Sequence, residues 1–138
     1  GVIFDIGHGK GSFAWDTARG MIAQGFPPDV ISSDIHQLNI NGPVYDQVTT
    51  LSKFLPLGMS LPEIIRASTE VPAKAVRRAD LGTLQAGSTG DVSILSLRKG
   101  SFDLEDVSGE TVTVSERIFA EGCVIGGKWF QQIGRKAA

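Results

Sequence analysis

Two short strand-like runs, at residues 2–6 and 30–33, stand either side of one helix-length segment, and this spacing constrains the fold more than any other feature. The first run passes into Gly7-His8-Gly9-Lys10-Gly11-Ser12, and the second ends in Ser33-Asp34-Ile35-His36. Between them Ser12 is placed to cap a helix over residues 13–24, because Phe13, Ala14, Ala18, Met21 and Ile22 recur at helical spacing. Gly25 falls where a C-terminal cap belongs, and Pro27 and Pro28 enforce the break. Strand, helix and strand at this length make a β-α-β unit whose strands run parallel through a right-handed crossover. A strand apolar on both faces belongs inside a parallel sheet covered on both sides, and such sheets rarely stop at two strands. The chain opens on that strand without a methionine, so the rest of the sheet is expected to lie outside this sequence.

The chain continues through a polar, turn-rich stretch at Asn41-Gly42-Pro43, expected as a surface loop near the same sheet edge. A helix is predicted over residues 45–54. A second begins at Ser60-Leu61-Pro62-Glu63, a capping box with proline in the first turn, and is interrupted by Pro72 before one or two more helical turns over residues 73–78. From Leu81 the character changes to glycines and short β-branched runs. Strands are predicted over residues 92–97 and 111–114, and a tight hairpin turn at Gly126-Gly127. The boundary between the two parts falls near Leu81. Trp15, Trp129 and Phe130 read as packing residues, and the last five residues, 134–138, as a frayed tail.

At 138 residues, 41% hydrophobic and 20% charged, the chain has enough sequence for a buried core. A formal net charge of -2 removes the basic footprint of general nucleic-acid binding. No run approaches the ~18 apolar residues of a membrane-spanning helix. The single cysteine, Cys123, forbids an internal disulfide framework and points to a reducing, cytoplasmic setting.

His8 and Asp34 occupy matching places, just past the C-terminal ends of their strands, where ligands bind in α/β folds. Three chemistries compete there. A phosphate loop needs four residues between its first glycine and a Gly-Lys pair followed by Ser or Thr, and here Lys10 is followed by Gly11. The dinucleotide pattern fails as well, its third glycine coming one position early. Asp34, His36 and His8 together offer carboxylate and imidazole donors to a divalent ion. The same residues equally suit a capping aspartate and two histidines satisfied by the backbone. A non-catalytic assembly module therefore stands beside an enzyme, with nucleotide binding behind both.

Several stretches carry a resemblance. FDIGHGKGSF, PDVISSDIH, MSLPEIIRASTEVPAKAV and DLGTLQAGSTGDVSIL together resemble the C-terminal portion of the amidohydrolase superfamily, specifically its dihydroorotase-like deacetylases. The most specific positions are Glu63, Thr69, Pro72, Ala73, Lys74, Gly82, Leu84, Gly87 and Asp91, while Gly90 stands where the family usually has alanine. The resemblance implies an α/β architecture: the last strands and helices of a (β/α)8 TIM-type barrel over residues 1–80, and part of a small β-sandwich over residues 81–133. It implies a hydrolase cleaving an amide or ester bond in a small N-acyl or cyclic amide substrate. One or two divalent ions, zinc foremost, would be held mostly by residues outside this chain.

Asp34 matches the family's metal-bound aspartate, which also serves as general acid and base. His8 is matched to the substrate side rather than to the metal, together with Gly9 and His36. A barrel of this kind needs about 250 residues, so the implied partners are a small-molecule substrate and the missing N-terminal barrel portion. The resemblance leaves room for a homo-oligomer, and the 138 residues alone are expected to be inactive.

Overall fold

A computed structural model describes residues 1–132. The tail predicted over residues 134–138, and Ile133 before it, lie outside the described residues. The elements run in the order β1 (Asp5–Gly7), α1 (Trp15–Ala23), β2 (Val30–Ser32), α2 (Gln47–Ser52), α3 (Leu61–Ser68), α4 (Glu70–Ala75), β3 (Val92–Glu105), β4 (Thr111–Ile125) and β5 (Lys128–Gln131). None of the helices is long and apolar enough to cross a membrane.

β1 and β2 pair in parallel across α1, with Asp5 opposite Val30 and Gly7 opposite Ser32. Alternation then sorts the side chains. Ile6 and Ile31 turn toward the core, whereas Asp5, Gly7 and Ser32 share the opposite face, where Ser32 Oγ donates to Asp5 Oδ2 at 2.8 Å. β1 is shorter than the predicted strand, because Val2, Ile3 and Phe4 precede it and are exposed, Val2 at 80%. Only β2 borders β1 among the described residues, so one ladder rather than two orders this segment.

Local chemistry sets the helix ends. α1 starts at Trp15 and not after Ser12, because its first N–H is satisfied from across the structure by Asp106 Oδ2 at 2.9 Å. At its far end Gly25 adopts a φ of +74°, its N–H donating to Ile22 O and that of Phe26 to Met21 O, the Schellman arrangement expected of a glycine there. Asp46 caps α2 by accepting from Thr49 N at 2.7 Å. The capping box at Ser60 and Glu63 is present, with Ser60 N donating to Glu63 Oε2 at 2.7 Å. The helical break comes at Thr69 instead of Pro72. Pro72 falls in the first turn of α4, where its missing N–H has no intrahelical partner to lose.

The second half is a single antiparallel sheet in the order β3-β4-β5, with strands far longer than predicted. Register shifts near Ile94 and between Lys99 and Phe102 bend the ladder and keep it paired past the points where alternation fades in the sequence. The turn at Gly126-Gly127 holds φ of +55° and +76°, the pair of positive values that a two-residue hairpin of this twist requires. One apolar cluster joins the two halves: Phe13, Trp15, Ile31, Phe54 and Ile64 pack with Leu104, Val114 and Ile118. Trp15 is buried and its Nε1 donates to Leu104 O at 3.2 Å, whereas Trp129 and Phe130 are about half exposed.

Candidate active site

The C-terminal ends of β1 and β2 continue side by side into their loops, His8 N donating to Ser32 O at 3.4 Å and Gly9 N to Ser33 O at 3.2 Å. Asp34 follows, exposed, with a φ of +46°. A non-glycine residue in this left-handed region is uncommon and needs surroundings that hold it there. Two glycines make its place: a Cβ on Gly9 would stand 2.6 Å from Asp34 Oδ2, and one on Gly7 would stand 3.1 Å from Asp34 Cβ. Gly9 itself has a φ of +51°. The glycines that the sequence places around His8 therefore serve the carboxylate on the neighbouring strand.

Asp34 borders an open groove of about 820 Å³ along the β1-β2 pair, which Gly7, Ser12, Ser32 and Gln47 also line. Gln47 is fixed there by donating through Nε2 to Ile31 O at 3.0 Å. His36 is exposed in the same loop as Asp34, and its Nδ1 accepts from Leu38 N at 3.2 Å, so its Nε2 is the ring nitrogen turned to other partners.

His8 lies elsewhere than its position in the sequence suggests. It is fully buried, stacked on Phe13 at 5.0 Å between ring centroids. Its Nδ1 is 3.0 Å from Gly9 O, and its Nε2 is 2.5 Å from the Nζ of Lys53, also fully buried. Lys53 Nζ has two further acceptors, Pro43 O at 3.2 Å and Glu105 O at 2.5 Å. Three acceptors match the three N–H bonds of an ammonium, which assigns the His8 tautomer: Nε2 accepts from Lys53 and Nδ1–H donates to Gly9 O. Burial pushes the Lys53 ammonium down to about 8, Arg117 adding to the effect and Asp106 and Glu105 opposing it. Burial, helped by the Lys53 charge, also lowers His8 below the ordinary imidazole value and keeps it neutral.

Asp106, at the end of β3, is buried and saturated with donors: Trp15 N, Ser108 N and Oγ, and Glu110 N. These hold its carboxyl below the usual range against the burial that raises it. Asp106 Oδ2 thereby occupies the first N–H of the helix that follows the glycine loop, one of the backbone donors a phosphate at that helix end would use.

A divalent ion needs four or more donors. Among the described residues no three His, Cys, Asp or Glu side chains come together to hold one. Asp34 offers a carboxylate into the groove, so these residues do not by themselves fit a metal centre.

A parallel β-α-β unit with a carboxylate just beyond its second strand is the ligand-binding edge of an α/β fold. Comparison with known proteins narrows the class. A deacetylase of Enterococcus faecalis is 38% identical over 129 residues, 93% of this chain and 35% of that protein. A deacetylase of Agrobacterium fabrum is 32% identical over 128 residues, 93% of this chain and 31% of that protein. Among solved structures, the crystal structure of an adenine deaminase matches with a TM-score of 0.92 at 37% identity, covering 96% of this chain and 36% of that one. That of a dihydroorotase matches with a TM-score of 0.88 at 31% identity, covering 95% and 35%. No protein-family model matches the chain. The chain spans about a third of the length of the curated relatives it matches. Over that third it is similar in sequence to proteins named deacetylase, and in sequence and fold to an adenine deaminase and a dihydroorotase.

Proposed function

We propose that the chain is the C-terminal part of a metal-dependent amidohydrolase that cleaves an amide or ester bond in a small N-acyl or cyclic amide substrate. Asp34 is the residue of this chain that carries the chemistry. The supporting observation is its placement: a carboxylate at the C-terminal edge of parallel strands, in left-handed backbone, with Gly7 and Gly9 bare beneath it and an open groove beside it. The deacetylase names of the relatives, and the deaminase and dihydroorotase titles of the solved structures, favour a C–N bond as the bond broken.

In this reading β1 and β2 are the last two strands of a (β/α)8 barrel, and the six before them lie in residues outside this chain. The exposed apolar side chains of Val2 and Ile3, which alternation turns to opposite faces, are then covered by the rest of the barrel. Residues 1–80 belong to the barrel and the three-stranded sheet to a small sandwich domain. A divalent ion, zinc in this proposal, would be held mostly by residues of the absent portion, with Asp34 the ligand that this chain would contribute.

Asp34 takes a proton from the attacking water and returns it to the leaving nitrogen, a task that calls for a carboxylate free to face the substrate. Gly9 and His36 border the substrate on the same edge. His8 serves it from beneath, holding the Gly9 carbonyl through Nδ1–H. Asp34→Asn in the full-length protein, assayed on a panel of N-acetyl amino acids and cyclic amides, is the test. The proposal expects turnover by the parent and its near-complete loss in the variant, with the fold intact by circular dichroism.

A further inference from the structure

The loop after β2 carries a fully buried asparagine that neither the β-α-β pattern nor the proposed chemistry uses. Asn39 Nδ2 donates to Asp34 O at 2.9 Å, and Asn39 Oδ1 accepts from His36 N at 2.7 Å. Its backbone joins the same knot: Asn39 N donates to His36 O at 3.0 Å, while Asn39 O accepts from Gly42 N at 3.0 Å and Tyr45 N at 3.3 Å. One side chain thus grips the peptide groups of both Asp34 and His36.

We propose that Asn39 is a positioning residue for Asp34, holding it in the left-handed conformation that aims its carboxylate into the groove. An aspartate at a φ of +46° reverts to an ordinary conformation unless something over-determines the backbone. The Asn39 amide meets that requirement: Nδ2 holds the Asp34 carbonyl and Oδ1 the His36 N–H, fixing the turn that carries Asp34 from both sides. The amide is needed as an amide, since one end must donate and the other accept. Gly7 and Gly9 clear the space for the carboxylate, and Asn39 fixes the peptide from which it hangs. This inference rests on the catalytic role proposed for Asp34.

The test uses the full-length protein, an N-acetyl amino acid that the parent turns over, and the variants Asn39→Asp, Asn39→Ala and Asp34→Asn. Asn39→Asp is nearly isosteric and keeps the acceptor for His36 N while losing the donor to Asp34 O. With the carboxylate displaced by about an ångström, kcat per folded enzyme is expected to fall about 100-fold in Asn39→Asp with KM close to parental, while the buried carboxylate lowers the melting temperature. Asn39→Ala is expected to fall at least as far. A crystal structure of Asn39→Asp is expected to show Asp34 out of the positive-φ region. Parental kcat in Asn39→Asp beside an inactive Asp34→Asn overturns the inference and leaves the catalytic reading standing. Activity that declines only with the folded fraction, kcat and KM otherwise unchanged, also overturns it, by reducing Asn39 to a folding role. Parental turnover by Asp34→Asn overturns both.

Discussion

The Nζ of Lys53 lies 2.5 Å from Nε2 of His8 with both side chains fully buried, so the imidazole of the glycine loop faces a buried amine. Lys53 also reaches Pro43 O in the loop after β2 and Glu105 O at the end of β3. One buried cation therefore ties both loops of the candidate edge to the antiparallel sheet. Three predictions test how this frame is built, and a fourth tests the chemistry.

Lys53→Met removes a buried charge whose folded-state value, about 8, lies below the ordinary lysine value of 10.5. Between those two values the unfolded chain holds more protons than the folded one, so stability rises with pH across the window. The stabilisation is complete above 10.5 and is lost as pH falls through 8. Summed over the shift it amounts to about 3 kcal/mol at most. Chemical denaturation of the parent and of Lys53→Met from pH 7 to 10.5 is expected to give a parent curve that gains on the variant over this range. A constant difference would mean that Lys53 is not desolvated in the folded state.

His8→Ala leaves the Lys53 ammonium one acceptor short and opens a cavity against Phe13. A loss of about 2–4 kcal/mol is expected, larger than that of an exposed histidine. His8 titrates in the opposite part of the scale. Its folded value is lowered, so its contribution is present above about 6.5 and is lost as pH falls below it. The parent is expected to lose stability on acidification through this range more steeply than His8→Ala, as read by thermal melts. Equal slopes would contradict a neutral buried imidazole.

Asp106→Ala is expected to destabilise the chain by about 2–4 kcal/mol, because it strips the acceptor from Trp15 N and from the turn at Ser108 and Glu110 at once. Hydrogen exchange locates the effect: the Trp15 amide is expected to lose protection first. Unchanged protection at Trp15 would show that its N–H is satisfied elsewhere.

Much of this frame is legible in the sequence, and the reasons for the rest are physical. The parallel β-α-β unit, the Schellman end at Gly25, the capping box at Ser60 and the hairpin at Gly126-Gly127 follow from local rules, each written in a few adjacent residues. Asp34 stands out because a strand end is a position with a known use. Asn39 and Lys53 do not, since asparagine in a turn-rich stretch and lysine between Ser52 and Phe54 both resemble surface residues. Only the tertiary fold, which brings Pro43, Glu105 and His8 around one amine, turns them inward. Asp106 had a local signal, the Asp-x-Ser-Gly sequence of a tight turn, but its partner Trp15 is 91 residues away. Ser12 looked like the helix cap for the same reason: sequence spacing shows neighbours along the chain, and the carboxylate that does the work comes from across it.

The most direct measurement is the kcat of Asp34→Asn in the full-length protein, against the parent, on an N-acyl or cyclic amide substrate, with folding checked by circular dichroism. The exchange preserves shape and removes the carboxylate proposed to accept and return the proton. Turnover is predicted to drop by at least about 10²–10⁴-fold, the range expected when a positioned general acid or base is lost. A folded Asp34→Asn protein that turns over at the parental rate would contradict the account.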